Sequence, residues 1–149
     1  MGVHLDRALV LYEQSRYDLA DAELRQELAA DPDHAVAHAM LALCLSHRKR
    51  PDEAVREGRL GVHLGPDIAF CHYALGHCLH DRDLLEEAAA SAAEAIRLDP
   101  EDADTFSLLA AVRFDQRQWS ASLEAAEEGL SADAEHVGCT NLRAMALGG

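Results

Sequence analysis

With 149 residues, 49% of them apolar and only 5% aromatic, the chain has the length of one domain whose buried surfaces must be built mainly from alanine and leucine. A formal net charge of −14 denies it the basic surface that phosphate contacts need, so no nucleic-acid partner is expected. No apolar run approaches the roughly 18 residues of a membrane span, and Met1 to Arg7 lack the regions of a signal peptide, so direct membrane insertion is not expected and a cytoplasmic location is.

Helical spacing of Leu5, Ala8, Leu9, Leu11 and Tyr12 predicts a first helix over 3–14, and Tyr17, Ala20, Leu24 and Leu28 predict a second over 18–30. Helices are next expected over 34–47 and 52–64. Pro51 opens the latter, where its missing N–H costs nothing, with Asp52 and Glu53 on the favourable side of the helix dipole. Two further pairs follow, over 68–81 with 84–98 and over 102–115 with 118–131, and a ninth helix over 136–147. That last helix holds Leu142, Ala144, Met145, Ala146 and Leu147 with Arg143 as its only charge, although a helix closing a stack should present a polar outer face. It is either a weakly polar cap or the first helix of a further pair, which would make this the front of a longer protein. An uncapped end also allows stacking on another copy, a homo-oligomer through the terminal repeats.

The pairs repeat with a fixed period. Asp31-Pro32, Gly65-Pro66, Asp99-Pro100 and Asp133-Ala134 stand 34 residues apart, and other positions keep step. One column reads Ala20, Ala54, Ala88, Ser122; another reads Ala8, Ala42, Gly76, Ala110; a third reads Leu11, Leu45, Leu79, Arg113. Small residues recur where helices must approach closely, and leucines where they bury surface. The third unit, with His72, Leu75, Gly76, Leu79, Ala88, Ala92 and Pro100 in order, resembles the tetratricopeptide repeat most closely. The resemblance implies an all-α, right-handed α-solenoid of four helix-turn-helix repeats near 1–34, 35–68, 69–102 and 103–136, with 137–147 as a capping helix or truncated fifth repeat, in a single domain over 1–149.

In that family the first helix of each pair lines a concave groove that binds a peptide or partner protein. Carried over by position, the contacts are Leu5, Leu9, Tyr12, Leu43 and His47, then Phe70, Tyr73, His77, Asp81, Phe114 and Asp115. Such a face suits an amphipathic helix or extended segment bringing apolar anchors, and a basic residue toward Asp81 and Asp115. Chaperone adaptors of the family grip a C-terminal carboxylate with basic and amide side chains. The matching positions here include Leu5, Leu9, Met40, Phe70 and Ala74, which cannot, so acidic chaperone tails are not expected partners. No glycine-rich phosphate loop, nucleophile elbow or enclosed carboxylate pair occurs, so the chain is expected to be an interaction scaffold and not an enzyme, with no cofactor. The alternative implied by the family is a recruiting or regulatory arm of a larger enzyme or membrane-anchored protein.

Residues 71 to 81 are the densest stretch of ligand-type side chains. His77, His80 and Asp81 share a helix face and could hold a divalent ion, with His47 as a fourth ligand, though no HExxH or CxxC pattern supports it. Contact with a peptide and plain surface histidines are the competing readings. His4, His38 and His72 form another column, completed by Phe106. Imidazoles packed neutral between helices are expected there, with stability falling in acid. Cys44 and Cys78 share one column and Cys71 and Cys139 another, which suits small packing residues in a reducing compartment. Arg48-Lys49-Arg50 is expected to be a solvated turn, and the carboxylates of the second helices a solvated convex face. Arginine outnumbers lysine twelve to one, as in proteins of GC-rich bacterial genomes.

Overall fold

The computed structural model describes residues 3–148. Among them lie nine helices: α1 Val3–Glu13, α2 Tyr17–Ala30, α3 Ala35–His47, α4 Pro51–Leu64, α5 Ala69–Asp81, α6 Leu85–Leu98, α7 Ala103–Asp115, α8 Trp119–Ala132 and α9 Val137–Gly148. Every boundary falls within one residue of the sequence expectation.

The same hydrogen bonds stop the first helix of all four pairs. Ser15, Lys49, Asp83 and Arg117 take φ of 60 to 64°. The next residue's N–H then reaches back to the leucine-column carbonyl, as in Arg50 N to Leu45 O at 2.9 Å and Gln118 N to Arg113 O at 2.9 Å. This is a Schellman closure with a non-glycine residue in the left-handed position. At the other end of each pair, Asp31, Gly65, Asp99 and Asp133 are extended C-caps. Pro32, Pro66 and Pro100 follow the first three directly and prevent the helix from continuing, whereas Ala134 holds that place after Asp133.

Each even-numbered helix packs against its own partner and against the first helix of the next pair, while α3 with α5 and α7 with α9 also touch directly. The structure is therefore an α-solenoid, with α1, α3, α5 and α7 in one layer and α2, α4, α6 and α8 in the other. Both small-residue columns lie at the contact between layers, and every member is buried. Leu45 and Leu79 are no more than 1% exposed, so truncating either to alanine would cost about 2–5 kcal/mol.

Two expectations are corrected by this packing. Arg48 is not simply solvated: its Nη1 meets Asp21 Oδ2 at 2.9 Å, and Arg25 Nε meets Asp21 Oδ1 at 2.6 Å, so a carboxylate only 3% exposed is held by two guanidinium groups. His38 is buried but faces acceptors on both sides, Glu57 Oε2 at 3.1 Å and the Pro32 carbonyl at 2.7 Å. The ring is thus held by polar partners at both nitrogens and is not an imidazole merely packed between helices. His4 repeats the carboxylate contact with Glu23 at 2.6 Å, and His72 repeats the carbonyl contact with Pro66 at 2.7 Å.

All four cysteines are buried and free. Burial pushes the thiols of Cys44 and Cys78 up to about 12 and that of Cys71 to about 11. No thiol is therefore expected to react with a disulfide reagent at pH 8 while the chain is folded, and all four should react after denaturation. Arg117 carries the left-handed strain without any side-chain hydrogen bond or ion pair among the described residues. The conformation costs an L-residue roughly 1–2 kcal/mol, of which glycine forfeits about 0.5–1 kcal/mol through its freer unfolded state. Arg117→Gly should thus raise stability by about 0.5–1 kcal/mol, measured as a higher urea midpoint at unchanged slope.

Candidate functional site

The layer of α1, α3, α5 and α7 forms a groove whose floor is set by α3. Leu43 and Met40 are 3% and 6% exposed and make the bottom of a pocket of about 160 Å³. Leu9 and Tyr12 from α1, Phe70 and Tyr73 from α5, and Asp104 from α7 surround it. A second pocket of about 360 Å³ continues toward α9, lined among others by Tyr73, His77, Asp81, Asp104 and His136. Tyr73 and Asp104 line both. Tyr73 is largely enclosed, and burial followed by the nearby charge of Asp104 pushes its phenol up to about 12.

A ladder of side-chain hydrogen bonds runs along the rim, where the groove helices end. Tyr12 Oη lies 3.3 Å from His47 Nε2, Ser46 Oγ donates to Asp81, and His80 Nε2 meets Asp115 Oδ2 at 2.6 Å. The three rungs are one contact copied at successive repeats, since each joins a residue to the one 35 positions later. His47 also stacks on Tyr17 with centroids 4.2 Å apart and planes within 5°. A cleft of about 490 Å³ opens beside this rim, where Lys49, His47, His77 and Asp81 meet.

The expected contact residues separate into three groups. Leu9, Tyr12, Leu43, Phe70 and Tyr73 converge on the apolar pocket, and His77 and Asp81 on the polar one. His47 and Asp115 belong to the rim ladder, and Phe114 packs edge-on against Trp119 with centroids 5.0 Å apart. Leu5 is a correction: at 4% exposure it belongs to the core between the layers, because its position on α1 points toward α2 instead of the groove. The metal set is a second correction. His80 turns to Asp115 and Asp81 accepts from Ser46, so His77, His80 and Asp81 do not converge, and no group of three potential ligands is arranged for a metal among the described residues.

Four participants were missed in the sequence. Tyr17 and Trp119 open second helices, where the repeat pattern assigns no groove contact, and Ser46 carries no motif. His136 had a signal: it stands in one 34-residue column with His34 and Asp102, and all three cap the following helix.

The family profile described as tetratricopeptide repeat matches residues 5–69. No curated protein sequence matches the chain. Among solved structures, MamA is 21% identical with a TM-score of 0.77, over 99% of this chain and 84% of that one. PilF of Pseudomonas aeruginosa is 25% identical with a TM-score of 0.84, over 97% of this chain and 66% of that one. YrrB, described as a TPR protein with an unusual peptide-binding site, is 19% identical with a TM-score of 0.76, over 95% and 73%.

His77 is the one described residue with a buried side-chain polar atom lacking a hydrogen bond: its Nδ1 has Asp81 Oδ2 only at 3.5 Å. Burial lowers its pKa below the ordinary 6.5, against the opposing pull of Asp81. A histidine whose folded pKa is depressed takes up protons more readily when unfolded, so its contribution to stability is complete above the unfolded value and is lost as pH falls below it toward the folded one. The His77 ring should titrate below pH 6.5 by NMR. The chain should also lose more stability between pH 7.5 and 5.5 than its His77→Gln variant does.

Proposed function

Because the chain belongs to the tetratricopeptide-repeat family, we propose that it is a protein-interaction scaffold that holds a peptide segment of a partner protein in its concave groove. The observation that carries this reading is the pocket over Leu43, where aromatic rings from two helices stand around a buried apolar floor and can enclose one side chain of a partner. The peptide-binding site of YrrB supports it by analogy of fold. The role is one of recognition and not catalysis: a repeat array offers a long curved surface, along whose rim His80 is engaged with Asp115 and Asp81 with the Ser46 hydroxyl. Four buried free thiols suit a reducing, cytoplasmic setting.

A second reading, a recruiting arm of a larger enzyme or membrane-anchored protein, is favoured by α9. Val137, Met145 and Leu147 are 71%, 48% and 66% exposed there, a face on which a further helix pair or a second copy can stack. No helix of the described residues is long and apolar enough to cross a membrane.

Phe70→Ala with Tyr73→Ala removes two walls of the pocket while leaving the interlayer columns intact. A partner captured from a lysate of the source organism should lose about tenfold or more in affinity for this variant, with helicity by circular dichroism unchanged. Equal affinity would place the interaction elsewhere on the molecule.

A further inference from the structure

We propose that the groove selects a partner segment carrying arginine or lysine beside an apolar side chain, the apolar group entering the pocket over Leu43 and the cation lying between Asp104 and Asp81. The inference rests on the groove being the binding surface. Its basis is the juncture of the two pockets: Tyr73 and Asp104 line both, so a side chain seated in the first brings its neighbour against the carboxylate of the second.

The charge of Asp104 is available for such a contact. Among the described residues the one hydrogen-bond partner of its carboxylate is His136, with Nε2 2.6 Å from Asp104 Oδ1, while His136 Nδ1 accepts from the Cys139 N–H at 3.2 Å. The ring thus bridges the start of α9 and one oxygen of the carboxylate, and Asp104 Oδ2 has no hydrogen bond among the described residues. The Asp104 side chain is 68% exposed, open to the groove beyond that bond. Asp81 lies on the same pocket, bonded to the uncharged Ser46 hydroxyl and facing His77, which burial holds toward its neutral form. Asp115, at the rim, faces His80.

No arginine or lysine lines either pocket. Lys49 lines the outer cleft instead, beside His47 and Asp81. An anionic segment would meet carboxylates without a fixed cation to offset them, whereas a guanidinium or ammonium group meets Asp104 and Asp81 with the face of Tyr73 beside it. The net charge of −14 adds long-range attraction for a basic partner.

The test uses a phage-displayed random-peptide library, selected on the full chain at about 0.15 M salt. Enriched peptides are resynthesised with each arginine or lysine replaced by citrulline, a neutral polar residue. Their affinities are measured by fluorescence anisotropy against the chain, Asp104→Asn and Tyr73→Ala, with fold verified by circular dichroism. Asparagine keeps an acceptor for His136, so the pocket wall is preserved. The expected result is enrichment of arginine or lysine next to leucine, isoleucine or phenylalanine. Citrulline and Asp104→Asn should each lower affinity about tenfold, and the two losses should not add, as for groups that contact one another. Peptides released by Tyr73→Ala but indifferent to citrulline and to Asp104→Asn would overturn the cation selectivity while leaving the groove as the binding site. Peptides indifferent to Tyr73→Ala, or no enrichment, would overturn both.

Discussion

The distance at which the two helix layers meet governs the rest of the molecule. Ala8, Ala42 and Ala110 in one layer and Ala20, Ala54 and Ala88 in the other are wholly buried, so side chains barely separate the backbones. At Gly61 a Cβ would come within 3.3 Å of the Ala35 carbonyl and the Ala39 amide, where backbone atoms cannot give way cheaply, and at Gly76 within 3.0 Å of Leu108 Cδ2. Ser122 keeps the spacing with one heavy atom more than alanine, and its hydroxyl is satisfied by the Ala110 carbonyl at 2.8 Å. Interiors packed at crystal-like density respond to a single added carbon. The same closeness leaves the large side chains two places to go: into the interlayer core, as Leu45 and Leu79 do, or out into the groove, as Tyr12, Phe70 and Tyr73 do.

Charge is distributed differently on the two surfaces. Outside the groove, carboxylates meet arginines: Glu87 with Arg59 at 3.0 Å, Glu94 with Arg97, and Asp52 with Arg82 at 2.7 Å. These exposed pairs are screened by water and salt and serve mainly to keep the surface hydrated. Within the groove, the neighbours of the carboxylates are imidazoles, a hydroxyl and a phenol. An imidazole and a hydroxyl orient Asp104 and Asp81, and no arginine or lysine is paired with either among the described residues; this asymmetry makes the concave side chemically distinct even though acidic residues are abundant everywhere.

The fold was legible in the sequence because the period of 34 fixes which residues are equivalent, and helix packing then fixes where each column must lie. The small columns, the leucine column and the proline beat all fall in those places. The left-handed turns were not legible, since Ser15, Lys49, Asp83 and Arg117 share no chemistry that marks them; only the backbone closure makes them equivalent. The groove was legible in composition but not in rotamer. Spacing alone puts His77, His80 and Asp81 on one face, yet it cannot show that His80 leans to the next helix to meet Asp115. Leu5 was misplaced for a related reason: on a short first helix the stripe facing the groove and the stripe facing the core adjoin, and one residue's rotation decides between them.

The helix α3 differs from its repeat-equivalents. Eleven of its thirteen residues are buried, Ala35 and every residue from Ala37 to Ser46, whereas six of thirteen are buried in α5 and six in α7. A helix without a solvent face cannot serve as the end of anything. In an ideal repeat array, stability is a sum over neighbours and units can fray from either terminus one at a time. Here, peeling α1 and α2 away would expose Leu41, Leu45 and Cys44 together, so the N-terminal half should open as a single cooperative block and not in steps. The floor of the groove therefore belongs to a block that does not fray on its own, and a partner meets a surface whose ordering entropy was settled when the chain folded.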